Sequence, residues 1–414
     1  MMWAGLYTLG IRFYLLGIHL AALFYPKARK WLRGRKNQFI QPLQKADGRM
    51  RIWFHCASLG EFEQGRPLIE AIKAVSPQST ILLSFFSPSG YDIRKNYTLA
   101  DQVVYLPPDL PGQVRRFLDN LQPDVAIFVK YEFWHNYLQA LQNRHIPYYF
   151  ISAVFRPSQL FFRPWGNWFR KQLVQASHIF VQDASSLRLL HEHGLNNASQ
   201  SGDTRYDRVS AHALHPPAVP LLSDFGSNAL LIVAGSTWPQ DEKLLLHLKA
   251  QTGLPIRFII APHEVDDKRV NGITSDFGPD AMRYSQIQDV IPTNIRVIII
   301  DNIGMLAGLY ALADIAYVGG AFGSGLHNIL EPAAHGKPVV FGPHHHRFPE
   351  AAAMIQEGGG FSVKDEKQWT SLVREWNEDP VKRQQAGQAA RLFVEIRRGA
   401  TDRIMKHMTR MVLK

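Results

Sequence analysis

From residue 50 onward the chain repeats one pattern: a short apolar run, a turn of small or polar residues, then a longer helix-like segment. Runs at 52–56, 81–85, 103–106, 125–129, 148–151 and 179–181 make a first series, and runs at 230–234, 258–261, 297–300, 315–318 and 339–341 make a second. Runs this short and this continuously apolar fit strands buried on both faces. Helical crossovers between them make the sheets parallel. A polar stretch at 207–224, with Pro216, Pro217 and Pro220, separates the series and reads as a linker. The pattern predicts an α/β protein of two Rossmann-like, doubly wound domains facing a cleft. In such domains ligands bind at the carboxyl ends of strands, so the loops after the runs are where chemistry is expected.

Ahead of the first series, residues 3–25 read WAGLYTLGIRFYLLGIHLAALFY, and Lys27, Arg29, Lys30, Arg33, Arg35 and Lys36 follow. A bilayer span needs about 20 apolar residues, and this run is long enough. Arg12 and His19 interrupt it, which also permits a helix lying at the interface. A third reading is a helix packed on the domain. The charge follows the run and no small-x-small cleavage site comes after it, which disfavours a cleaved signal peptide. The basic flank places the body of the protein in the cytoplasm by the positive-inside rule. The expected division is an anchor at 1–38, a first domain at 39–212 and a second at 213–414. The net charge of +11 comes without zinc-finger spacing or a basic run interleaved with stacking aromatics. It points to anionic ligands or an anionic membrane rather than nucleic acid. The lone cysteine, Cys56, rules out an intrachain disulfide. A basic C-terminal segment (Arg397, Arg398, Arg403, Lys406, Arg410, Lys414) either packs back across the cleft or forms a solvated helix.

Several motifs fall at the ends of the runs. The segment 319–332, GGAFGSGLHNILEP, follows the run at 315–318. Its glycines let backbone approach a ligand closely. The helix expected after them presents amides that suit phosphate, and Glu331 suits a sugar diol, which together indicate a nucleotide-sugar site. Ser58-Leu59-Gly60-Glu61 follows the first run. Glu61 reads either as a general base for an attacking hydroxyl or as a carboxylate complementing a helix N-terminus. Lys130-Tyr131-Glu132-Phe133-Trp134 offers Glu132 as a second carboxylate or as a cap. Arg205, in Ser201-Gly202-Asp203-Thr204-Arg205, can neutralise a phosphate with its planar fork or can be a solvated linker residue. Ser236 and Thr237 hold an anion or cap a helix. Pro262 and His263, and Gly304, Met305 and Leu306, occupy loops placed to line a nucleotide pocket. The run His344-His345-His346 reads as a loop, because adjacent histidines diverge and no carboxylate sits at ligand spacing. With no Asp-x-Asp motif, Walker loop or nucleophile elbow, a metal-independent mechanism without cofactors is expected.

Taken together and in order, these segments resemble the 3-deoxy-D-manno-octulosonic acid (Kdo) transferases of lipopolysaccharide synthesis, over nearly the whole chain. The resemblance implies the GT-B fold. It implies inverting transfer of Kdo from CMP-Kdo to a lipid A precursor (lipid IVA), at the cytoplasmic face of the inner membrane. Glu61 matches the family's Ser-x-Gly-Glu motif and is then the base. Glu132 matches Glu-x-Trp and supports the transition state. Gly202 to Asp207 matches Gly-x-x-Lys-Phe-Asp, with Arg205 for lysine and Tyr206 for phenylalanine. Gly325 to Pro332 matches Gly-Gly-His-Asn-x-Leu-Glu-Pro, with Leu326 for the second glycine. CMP contacts then fall on Pro262 and His263, on Gly304, Met305 and Leu306 (with methionine for the family's glutamate), and on Asn328, Ile329, Leu330 and Glu331. Ser236 and Thr237 match the family's Ser-Thr turn. Another GT-B enzyme, a UDP-sugar transferase or nucleotide-sugar epimerase, would share the glycine loop and the glutamate. A non-catalytic, membrane-associated carbohydrate binder would share them too. The Ser58–Glu61 motif and the apolar N-terminus separate the first reading from the epimerase, and the Glu61–Glu132 pair separates it from the binder.

Overall fold

A computed structural model describes residues 2–36, 49–251, 253–323 and 325–411. The chain divides into two compact units, one running to Asp207 and resuming at Gly399, the other spanning Arg208–Arg398. Among the described residues the first unit holds a seven-stranded parallel sheet: β1 (Arg51–Cys56), β2 (Thr80–Phe85), β3 (Gln102–Tyr105), β4 (Val125–Val129), β5 (Tyr148–Ala153), β6 (His178–Val181) and β7 (Ala198–Gln200), ordered β3-β2-β1-β4-β5-β6-β7. The second unit repeats the architecture with β8 (Leu230–Thr237), β9 (Ile256–Pro262), β10 (Ala281–Arg283), β11 (Val297–Ile299), β12 (Ile315–Val318), β13 (Val339–Phe341) and β14 (Gly360–Ser362), ordered β10-β11-β9-β8-β12-β13-β14.

Each apolar run of the sequence is a strand. Successive side chains point to opposite faces, and in the first unit both faces are core. Trp53, Leu82, Ala126, Phe128 and Phe150 join one cluster, while Ile52, Phe54, Leu83, Ile127 and Ile151 join the other. In each sheet the strand order reverses beside the unit's first strand, between β1 and β4 and between β8 and β12. Those reversals open the crevices where ligands bind in doubly wound sheets. The Glu61 and Glu132 loops flank the first. The Ser236-Thr237 turn and the 319–332 loop flank the second.

The stretch read as a linker is partly helix, since Thr204–Leu214 runs through its start and the unit division falls inside that helix. The sequence division placed the C-terminal segment with the second domain. Helix Ala400–Met411 instead belongs to the first unit, where Ile404 and Met408 are fully buried in the cluster that includes Ile52, Phe54 and Leu68. Asp207 ties it down by accepting from the Gly399 and Thr401 amides and the Thr401 hydroxyl at 2.5–2.8 Å. The expected anchor boundary at 38–39 and Lys414 lie outside the described residues.

The apolar N-terminus is one helix, α1 (Met2–Phe24), long and apolar enough to cross a membrane and exposed along its length: Leu6, Phe13, Leu16, Leu20 and Phe24 all face outward. It meets the body through Tyr7, whose hydroxyl donates to Asp109 Oδ2 at 2.7 Å. After a break at Tyr25 comes the basic helix α2 (Pro26–Lys36). Trp31 and Arg35 dock it. The Arg35 guanidinium lies 3.6 Å above the Trp31 ring and donates to Leu106 O and Phe86 O. Burial brings its pKa down to about 9. Gly34 allows the approach, since a Cβ there would lie 2.5 Å from the Tyr105 ring.

Candidate active site

The β1–α3 turn sets the first group, with α3 spanning Leu59–Val75. Ser58 is the N-cap residue, extended at φ −139°, and Glu61 stands in the first turn. Glu61 reaches back so that its Oε2 accepts from the Ser58 amide at 2.9 Å and the Ser58 hydroxyl at 3.4 Å. This is half of a capping box, so the helix-end reading of Glu61 holds. It does not exhaust the residue, because Oε1 has no protein partner among the described residues. Burial pushes the Glu61 pKa up to about 7, and the negative Glu132 adds to the rise. His55, the Ser58 amide and Lys130 hold it down. A carboxylate near neutrality at a strand end has the proton affinity a general base needs.

Glu132 follows β4 and is 9% exposed. Its Oε2 accepts from Trp134 Nε1 at 2.6 Å and pairs with His55 Nε2 at 3.1 Å. His55 ends β1 and is fully buried, with Nδ1 2.9 Å from Ser84 Oγ. The Trp53 indole donates to the same Ser84 Oγ at 2.8 Å. The Trp134 ring packs at 5.0 Å on Phe86, which also meets Trp31. Lys130, at φ +69°, stores backbone strain at the end of β4. Arg205 lies in the first turn of Thr204–Leu214 rather than in a linker. It is clamped to Asp203, whose Oδ2 accepts from Nε at 2.8 Å and from Nη2 at 2.7 Å. Burial would raise Asp203, but the guanidinium outweighs it and holds the carboxyl below its ordinary value.

In the second unit a buried carboxylate organises the crevice. Asp241 is fully buried and accepts from the Trp238 amide, the Gly320 amide and the Tyr317 hydroxyl at 2.7–2.9 Å. It thereby ties the turn after β8 to the loop after β12. Gly320 sits at φ +94°, and a Cβ there would lie 2.3 Å from Gly325 O, so only glycine fits. A recess of about 260 Å³ opens between Trp238, Gln240, Gly320, Phe322 and Gly323. Beside it three rings stack: Trp238 on His263 at 4.8 Å, and His263 on His327 at 4.6 Å. The Trp238 indole donates to His327 Nε2 at 3.2 Å. Burial, aided by His263, pushes the His327 pKa down to about 4 and keeps the ring neutral.

The expected donor residues divide by what they have left to offer. His263 is exposed within the stack, after the buried Pro262. Ser236, at φ +54°, is half-buried. Thr237 is buried and its hydroxyl donates to Glu242 Oε1 at 2.9 Å, so its side chain is spent on the fold. Gly304, at φ +103°, and Met305 lead into Leu306–Leu312, and Leu306 packs over Gly235. Asn328 is exposed. Its Oδ1 accepts from the Leu330 amide and its Nδ2 donates to Glu331 Oε1, both at 3.1 Å. Ile329 and Leu330 are buried. The helix after the glycine loop, Leu330–Ala334, has five residues and starts well beyond the glycines. A helix that short sums few peptide dipoles, so it offers an anion less than the sequence led one to expect. Among the described residues no group of three or more His, Cys, Asp or Glu side chains is placed to hold a metal ion. Sequence reasoning assigned no role to His55, Trp134, Trp238, Asp241 or His327. Their one signal was adjacency to the named motifs.

Comparison with known proteins bears on the fold and on the likeness in sequence. Residues 29–208 match the model of the 3-deoxy-D-manno-octulosonic-acid transferase (kdotransferase) family. The chain is 28% identical to the 3-deoxy-D-manno-octulosonic acid transferase of Bordetella pertussis over 375 residues, 86% of each chain. It is 25% identical to that of Aquifex aeolicus, over 78% of this chain and 85% of that one. Among solved structures, the UDP-GlcNAc 2-epimerase of Neisseria meningitidis superposes with a TM-score of 0.60 at 15% identity, over 87% of this chain and all of that one. A second UDP-N-acetylglucosamine 2-epimerase gives 0.61 at 13%, over 88% and 97%. At such identities the epimerases share the fold, two parallel α/β domains of the GT-B kind, while the likeness in sequence runs to the transferases. Over residues 29–208 the chain matches the 3-deoxy-D-manno-octulosonic-acid transferase family model, and over most of its length it is similar in sequence to transferases of that name.

Proposed function

We propose that the protein is an inverting, metal-independent glycosyltransferase that moves Kdo from CMP-Kdo to a lipid A precursor at the cytoplasmic face of the inner membrane. The observation that carries this reading is Glu61. It is a carboxylate at the β1–β4 crevice, held by one oxygen, raised to about 7 and set beside a second carboxylate. Glu61 Oε1 takes the proton of an acceptor hydroxyl. The freed oxygen attacks the anomeric carbon of Kdo from the face opposite CMP. The bond to the phosphate oxygen breaks, its electron pair leaves with CMP, and the configuration inverts. Glu132 places a fixed negative charge where the sugar becomes oxocarbenium-like. Arg205, kept charged by Asp203, offsets the departing phosphate. The donor carries one phosphate rather than two, so loop amides and one guanidinium can balance its charge without a metal. In the second unit the Trp238–His263–His327 stack offers a flat aromatic surface to a base, and Asn328 and Glu331 offer acceptors to a ribose. The acceptor is acylated and phosphorylated, which accords with an apolar α1 followed by a basic α2.

The test is transfer from CMP-Kdo, generated in situ, to lipid IVA in detergent with chelator present, followed by mass spectrometry. Wild type should add Kdo, and Glu61→Gln should lower kcat by about 10²–10⁴-fold, the usual worth of a general base. Competition by UDP but not CMP, with no Kdo added, would overturn the assignment in favour of a UDP-sugar enzyme.

A further inference from the structure

Glu132 and Glu61 each spend Oε2 on protein donors and leave Oε1 with no partner among the described residues. For Glu61 the donors are local. For Glu132 one of them comes from the interior of the sheet. His55 is fully buried on β1, edge-on to Phe128 at 6.1 Å, and both of its ring nitrogens are engaged. The hydrogens can be followed from one end. An indole only donates, so Ser84 Oγ accepts from Trp53, and its own hydrogen has two acceptors in reach, His55 Nδ1 at 2.9 Å and, longer, Phe54 O at 3.4 Å. The alternative, Nδ1–H donating to Ser84 O, is longer at 3.2 Å. An ionised Glu132 can only accept, so Nε2 carries a hydrogen in either case.

We propose that His55 is a positioning residue for the transfer: anchored by Ser84 and Trp53, it dictates which oxygen of Glu132 is presented beside Glu61. The catalytic part of this rests on the function proposed above. A carboxylate this buried needs donors, and His55 and Trp134 supply two on one oxygen. Glu61, Cys56 and Tyr7 also interact electrostatically with Glu132, and Lys130 does so with Glu61. Of these groups and His55, only His55 is bonded to Glu132.

The experiment compares wild type with His55→Leu, His55→Gln and Ser84→Ala in the full-length protein in detergent. The carboxyl-carbon resonance of Glu132 in ¹³C-glutamate-labelled protein, assigned through Glu132→Gln, is recorded at one fixed pH, and kcat and KM are measured on the same samples. In His55→Leu that resonance should move away from its wild-type position as the Nε2 hydrogen bond is lost. Its kcat should fall on the order of 10²-fold, as for a displaced catalytic group, with the acceptor KM little changed. His55→Gln keeps an N–H donor and should recover most of both. Ser84→Ala leaves the ring but removes its anchor and should move the resonance in the same direction by less, which keeps the proposal testable if His55→Leu does not fold. A folded His55→Leu protein with an unmoved Glu132 resonance, or with wild-type kcat, overturns the proposal, as does a loss that His55→Gln fails to rescue. If wild type transfers no Kdo, the functional reading fails, and the Glu132 resonance still decides whether His55 positions that carboxylate.

Discussion

In the proposed mechanism Glu61 divides a structural and a chemical task between different atoms. Oε2 closes the helix end against Ser58, which fixes the side chain, and Oε1 would take the proton. Two pH effects follow. Activity should rise with pH through about 7 as Glu61 ionises, read as the acid limb of kcat/KM, and Glu61→Gln should erase that limb together with the rate. Stability should move the other way. Glu61 is raised from 4.5 to about 7 and Asp109 from 3.8 to about 6, each chiefly by burial. Between those values the folded protein holds protons that the unfolded chain has released, so stability declines as pH climbs from about 4 to about 7. Thermal melts at pH 5 and 7.5 should give the higher midpoint at pH 5, with a smaller difference in Glu61→Gln. Glu61 and Glu132 were singled out in the sequence because each falls in the turn after a buried run. His55 was not. Inside an apolar strand it reads as one more core position, and the carboxylate that explains it lies 77 residues away.

At the scale of elements, Asp241 bonds the turn after β8 to the loop after β12, in addition to the loop's own backbone bonds within 319–327. Asp241→Ala orphans two amides and the Tyr317 hydroxyl, at a cost of about 1–3 kcal/mol for each group left buried and unpaired. The loop should loosen, CMP affinity measured by calorimetry should fall at least about tenfold, and the melting temperature should drop. Gly320→Ala should weaken CMP binding by forcing the loop away from Gly325 O, with the first unit's sheet unaffected. The strands that carry these loops were readable because they are apolar on both faces. Strands β7, β10 and β14 escaped notice, since Ala-Ser-Gln, Ala-Met-Arg and Gly-Phe-Ser carry no apolar run and each lies at a sheet edge. The short Leu330–Ala334 helix stops at His335-Gly336-Lys337-Pro338, where a glycine and a proline end it before the next strand.

At the scale of the whole molecule, the chain returns to its first unit at Gly399 and closes it with a helix seated on Asp207. Asp207→Ala should therefore destabilise the first unit although the residues it releases lie near the other end of the chain, and a shorter soluble fragment ending before Gly399 should melt lower or fail to fold. The N-terminal helices invite a parallel comparison. Phe86 touches Trp31 of α2 on one side and Trp134, the donor to Glu132, on the other. A protein shortened by residues 2–25 should keep its activity on acceptor dispersed in detergent and lose it on acceptor held in vesicles. One shortened by residues 2–36 should also lose turnover in detergent. Surgeons know the difference between a splint and a ligament: the first helix can be taken off once the lipid is supplied in solution, but the second belongs to the joint, and the safe incision lies at Tyr25.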